Sequence, residues 1–123
     1  MAITLNTTLR NARATAIVTE AGATAKLSVY TAAYGTLLYT STCAATLGTV
    51  SGGVLTFNAV GNATAAAAGT AAIARLFKTD GTTMVMEGLT VGTSGTNIVI
   101  TNTTIAVNDV ITTSSATITE GNP

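Results

Sequence analysis

From residue 25 onward, apolar side chains keep recurring at alternate positions, and glycine-centred turn signals interrupt them every ten residues or so. That rhythm restricts the chain to a β-rich fold, because only a strand puts every second side chain on one face. Lys26-Leu27-Ser28-Val29-Tyr30 alternates cleanly and places Leu27 and Val29 together. Between Thr36 and Cys43 the same period groups Leu37, Tyr39 and Cys43, with Leu38, Thr40 and Thr42 opposite. Val50-Ser51-Gly52-Gly53-Val54 reads as a tight hairpin, since paired glycines accept the positive φ that such turns require, and Leu55-Thr56-Phe57 continues its second arm. Residues 71–78 and 83–87 flank Asp80-Gly81, a second hairpin signal, with Met84 and Met86 expected on one face. A flexible connection over 91–96 leads to strands at 97–101, 104–107, 110–113 and 116–120, with Ile98 and Ile100 facing inward. The stretch 58–69, with four consecutive alanines, fits either a short helix or a flat loop.

One helix precedes the strands. Asn6 or Thr7 can cap it, Leu9, Ala12, Ala16 and Ile17 recur at helical spacing, and Gly22 supplies the stop, giving a helix over 6–22. Arg10 and Arg13 fall on the other side. A stripe this narrow is stable only when docked. At 123 residues the chain has room for a single domain, 1–123. The expected architecture is mostly β: an antiparallel β-sandwich, jelly-roll-like, over 25–120 with a short N-terminal helix.

Composition decides what such a domain can do. Five basic and five acidic residues cancel, only 8% of residues are charged, and there is no histidine. Imidazole metal sites and histidine-based catalysis are excluded. A neutral chain also lacks the electrostatic footprint of a nucleic-acid binder. The 28 threonines and 22 alanines make up two-fifths of the chain, so its surface is mostly small, uncharged and cheap to desolvate. That suits permanent contact with neighbours better than life as a free monomer. No run of about 18 apolar residues marks a membrane span, and Met1 to Asn6 has no secretory pattern. The single Cys43 excludes an internal disulfide, reads as a plain buried thiol, and fits assembly in a reducing cytoplasm.

The residues that could carry chemistry have simpler readings. Asp80 and Asp109 sit in turn contexts, where aspartate bonds nearby backbone amides; Glu20, Glu87 and Glu120 form no evident pair. Gly52-Gly53 and the Gly92-Thr93-Ser94-Gly95 run open no helix and precede no Walker lysine. No serine has a spaced lysine base, so the sequence points to no catalytic, cofactor or metal site. Three Asn-x-Thr matches, at Asn6, Asn62 and Asn102, are what this composition produces by chance. Arg10, Arg13 and Arg75 remain as candidate partner contacts, the helix pair ahead of Arg75.

The order of these signals resembles small virion proteins of tailed bacteriophages, of the head decoration or cement type. The resemblance rests on the short N-terminal helix, Lys26-Leu27-Ser28-Val29-Tyr30, the Leu37-Leu38-Tyr39 segment running to Cys43, and Gly53-Val54-Leu55-Thr56-Phe57-Asn58-Ala59. It continues through the alanine-rich stretch, Arg75, Asp80-Gly81-Thr82, Gly88-Leu89-Thr90-Val91-Gly92-Thr93-Ser94-Gly95 and Asn102-Thr103-Thr104-Ile105. It implies a β-sandwich bound to the outside of a capsid, with the major capsid protein as partner, self-association as a dimer or trimer, and a virion location after assembly in the host cytoplasm. It also makes the helix, through Leu9, Arg10 and Arg13, a docking or self-association element. No cofactor, nucleic acid, membrane or small-molecule substrate belongs to that role. Two other readings stand beside it. One is a tail or fibre-attachment component. The other is a threonine-rich surface binder for ice or glycan, which needs the pairs Thr40/Thr42, Thr101/Thr103 and Thr117/Thr119 on one flat face.

Overall fold

A computed structural model describes residues 5–119. Helix α1 (Thr7–Ala21) starts where Asn6 Oδ1 accepts the Leu9 N–H at 2.8 Å, and stops at Gly22, whose φ of 70° turns the chain away. The packed side of α1 differs from the expected one. Ala14 and Ala21 are buried with Ile17 and Val18 half-buried against them, whereas Leu9, Ala12 and Ala16 are exposed. Small side chains set this contact, and hydropathy periodicity is blind to alanines chosen for close approach.

The strands that follow are β1 (Lys26–Tyr30), β2 (Leu37–Thr42), β3 (Gly48–Ser51), β4 (Val54–Phe57), β5 (Ala63–Thr64) and β6 (Gly69–Thr70). Then come β7 (Ile73–Phe77), β8 (Met84–Gly92), β9 (Ile98–Ile100), β10 (Thr104–Ile105), β11 (Val110–Ile111) and β12 (Thr113–Thr119). Eight of them form one curled sheet in the order β2-β1-β7-β8-β9-β12-β4-β3. The pairs β5–β11 and β6–β10 are short antiparallel ribbons. One core runs through all three parts: Ala14 and Ala21 from α1; Leu27, Leu55, Leu76 and Ile98 from the sheet; Ile105 and Ile111 from the ribbons.

The sheet is mixed, which corrects the all-antiparallel expectation. β8 and β9 run parallel, with Val91 opposite Ile98 and Gly92 opposite Val99. Parallel neighbours ordinarily need a crossover of a dozen or more residues. Residues 93–97 suffice here because the ladder is very short and Asn97 clasps it. Asn97 Oδ1 accepts both the Thr90 N–H and the Thr90 hydroxyl at 3.0 Å, while its Nδ2 donates to the Thr117 carbonyl at 3.2 Å.

Bulges account for the other differences. Tyr30 pairs with Leu37 and Val29 with Tyr39, so Leu38 is the extra residue in β2. Leu38 is therefore buried and Leu37 left 45% exposed, the reverse of the expected grouping. Residue 85 plays the same part in β8: Met84 pairs with Phe77 but Met86 with Leu76, which puts the two methionines on opposite faces. The stretch 58–69 is not helical. Gly61 and Ala66 donate their N–H groups to the Thr42 and Leu38 carbonyls, covering the β2 edge that would otherwise be open to another strand.

Candidate interaction surface

The first four strands of the sheet order, β2-β1-β7-β8, carry one outward face whose composition differs from the rest of the chain. Cross-strand pairing sets its rows. Thr42, Lys26, Phe77 and Met84 form one; Thr40, Ser28, Arg75 and Glu87 the next; Leu37, Tyr30, Ile73 and Thr90 the third. Two of the chain's five aromatics and three of its ten charged residues stand on these positions. Ala74 and Leu76 alternate with them and point into the core.

A third aromatic is delivered from the side. Thr31 and Thr36 close a short loop by mutual hydrogen bonds, the Thr36 N–H reaching the Thr31 hydroxyl at 2.8 Å. Inside that loop Ala33 and Tyr34 both have φ of 57°, a left-handed conformation that non-glycine residues adopt at a cost of about 1 kcal/mol or more each. The result is a ring over a cation. The Arg75 guanidinium carbon lies 3.9 Å from the Tyr34 ring centroid and 5.3 Å from that of Tyr30, and the two tyrosines meet edge to face at 5.5 Å.

Tyr34 also repairs the backbone beside it. Arg75 pairs with Glu87 but Ala74 with Leu89, leaving Gly88 as a bulge with φ of 85°. The freed Gly88 N–H donates to the Tyr34 hydroxyl at 2.7 Å. Arg75 is held mainly by the rings: its closest approach to Glu87 is 3.4 Å, Nε to Oε1, without hydrogen-bond geometry. Nearby, Lys26 Nζ donates to the Thr42 hydroxyl at 2.8 Å, and Ser28 and Thr40 share a hydrogen bond at 3.0 Å.

The other expected residues fall elsewhere. Leu9 is 46% exposed and Arg13 exposed on the open side of α1. Arg10 turns inward, its guanidinium lying against Gly53 in the β3–β4 turn, where Asn11 Oδ1 also accepts the Gly53 N–H at 2.7 Å. The three are therefore not one patch. Asp80 and Asp109 hold turns as expected: Asp80 accepts from Thr82 and Thr83, and Asp109 from the Ala106 N–H. Glu20 pairs with Lys78 at 3.1 Å, and Glu120 lies outside the described residues.

A shallow cleft of about 110 Å³ is lined by Thr101, Asn102, Ile105, Asp109 and Val110 among others. It is well below the roughly 300 Å³ at which small-molecule pockets begin. Among the described residues no group of three or more acidic or cysteine side chains could hold a metal, and no helix is long and apolar enough to cross a membrane. Of the threonine pairs, Thr40/Thr42 lie on β2 and Thr117/Thr119 on β12, with four strands between them in the sheet, while Thr101/Thr103 lie outside the strands. Comparison of the chain with protein-family models, with curated proteins and with solved structures finds no match in any of the three.

Sequence reasoning singled out Arg75 but missed its partners. Tyr34 precedes Arg75 by 41 residues, a third of the chain, and no local pattern connects the two.

Proposed function

We propose that this chain is a structural component of a bacteriophage head: a decoration or cement protein that seats on the outer surface of the major capsid lattice and stabilises it. The outward face of β2-β1-β7-β8 carries the reading. Tyrosine and arginine are the side chains that most often anchor protein interfaces, and here they are gathered on one rigid sheet face of a chain otherwise surfaced by threonine and alanine. A standard interface takes about 800 Å² from each partner. That is a modest share of the 6164 Å² this molecule exposes, and repetition over a lattice makes such contacts jointly hard to break.

In this reading the curled sheet and its ribbons are a variant of the jelly-roll-like sandwich of the proteins it resembles. The chain self-associates as a dimer or trimer and resides on the virion exterior after assembly in the host cytoplasm. Leu9 and Arg13 on the open side of α1 supply a further contact, with Arg10 fixing the helix to the β3–β4 turn. Quantifying this chain in purified virions tests the proposal. Copies in proportion to the capsid lattice support it. A handful would assign the chain to a tail or fibre attachment instead, and none would overturn the virion reading altogether.

A further inference from the structure

We infer that the Tyr34–Arg75 stack is the anchor of the docking surface, and that the partner segment seated there presents a carboxylate; this rests on the capsid reading above. Three observations carry it. The first is charge: the outward positions of β1, β2, β7 and β8 hold Lys26 and Arg75 against Glu87 alone, an excess of one cation. The rim adds the Lys78–Glu20 pair, which cancels, and Asp80, an ionised carboxylate whose oxygens are engaged by its own turn, so the excess cation is local to the rows of Lys26 and Arg75. The second is under-use of the cations. Glu87 is the one carboxylate beside the guanidinium and approaches it at Nε, the Tyr30 hydroxyl is a neutral partner, and Lys26 is bonded to a hydroxyl rather than a carboxylate, so two cations share a single anion. The third is strain. Two successive left-handed non-glycine residues are held to set one ring over Arg75, and backbone strain of that kind gathers at binding and switch sites.

The stack prepares Arg75 for a carboxylate. Tyr34 fixes the guanidinium plane and excludes water from one side, so an incoming carboxylate meets an oriented fork instead of a mobile chain. Exposed Leu37 and Met84 stand in the flanking rows and give the same partner an apolar footing. Lys26 provides a second, weaker charge contact one row away.

The test uses heads of the phage that encodes this chain, assembled without it and then titrated with purified protein. Arg75→Gln is expected to weaken occupancy at least tenfold and Lys26→Gln less. The wild-type protein should be displaced progressively as salt rises, while Val107→Ala, at an exposed position outside this face, leaves affinity within twofold. Circular dichroism and melting temperature confirm that each variant is folded. Carbodiimide treatment of loaded heads is expected to join the Lys26 amine to an aspartate or glutamate of the capsid protein. Unchanged occupancy for folded Arg75→Gln and Lys26→Gln would overturn this surface while leaving the capsid reading intact. Cross-links from Lys26 only to other copies of this chain would overturn the assigned partner. Failure of the wild-type protein to bind heads at all would remove both proposals together.

Discussion

Asp80 organises a hairpin turn with a single carboxylate. Its Oδ1 accepts the Thr82 and Thr83 N–H groups at 2.8 Å and its Oδ2 the Thr83 hydroxyl, and these bonds hold its pKa down at about 2. An unfolded aspartate titrates near 3.9. The folded carboxyl thus stays ionised to lower pH than the unfolded one, so its contribution is complete above about pH 4 and lost as pH falls toward about 2. Asp80→Asn should melt below the wild-type protein at pH 6, and the gap should close across that acid window. A gap that persists at pH 2 would mean the turn does not depend on the charge. Asn97 works through neutral bonds that join three strands, so its removal has no such pH signature. Asn97→Ala is expected to cost about 1–3 kcal/mol by urea denaturation. Asn102→Ala, which loses only an exposed bond to the Thr104 N–H, should cost a few tenths.

At the scale of elements, α1 gives the clearest discrimination between two readings of one sequence. If Ala14 is the buried contact, Ala14→Leu forces a larger side chain into a filled space and costs about 1–3 kcal/mol. Ala16→Leu, on the exposed side, should change stability by no more than about 0.5 kcal/mol. Equal effects would place the helix in a different rotation. Some elements were legible because their chemistry is local: the Asn6 cap, the Gly22 stop, the Gly52-Gly53 turn with φ of 59° and 77°, and the Asp80-Gly81 turn. Alternation also identified most strands. It failed at Leu38 and at residue 85, since counting by twos assumes a register that each bulge breaks. The β8–β9 pair and the Tyr34–Arg75 stack were hidden for another reason. Both arise from residues brought together by the whole sheet, and no local pattern encodes either.

For the molecule as a whole, Cys43 reports whether helix, sheet and ribbons unfold together. Its side chain is buried in the common core, its N–H is bonded to the Ala25 carbonyl, and burial raises its pKa to about 11 against a smaller opposing pull from Lys26. Alkylation needs an accessible thiolate, so at neutral pH the folded molecule should react with iodoacetamide only when it opens. One continuous core implies one cooperative unit. The urea midpoint for Cys43 labelling should therefore coincide with that for loss of the far-ultraviolet circular dichroism signal, to which α1 contributes. Fast labelling while that signal is native would show that the core around β2 opens on its own. Under the proposed capsid role the same thiol would also report docking. A partner that binds only the folded molecule lowers the open population by mass action, so on that proposal labelling on capsid heads should slow in proportion to occupancy. Arg75→Gln, expected to weaken seating without unfolding the core, should label at the wild-type rate when free and lose that protection when mixed with heads.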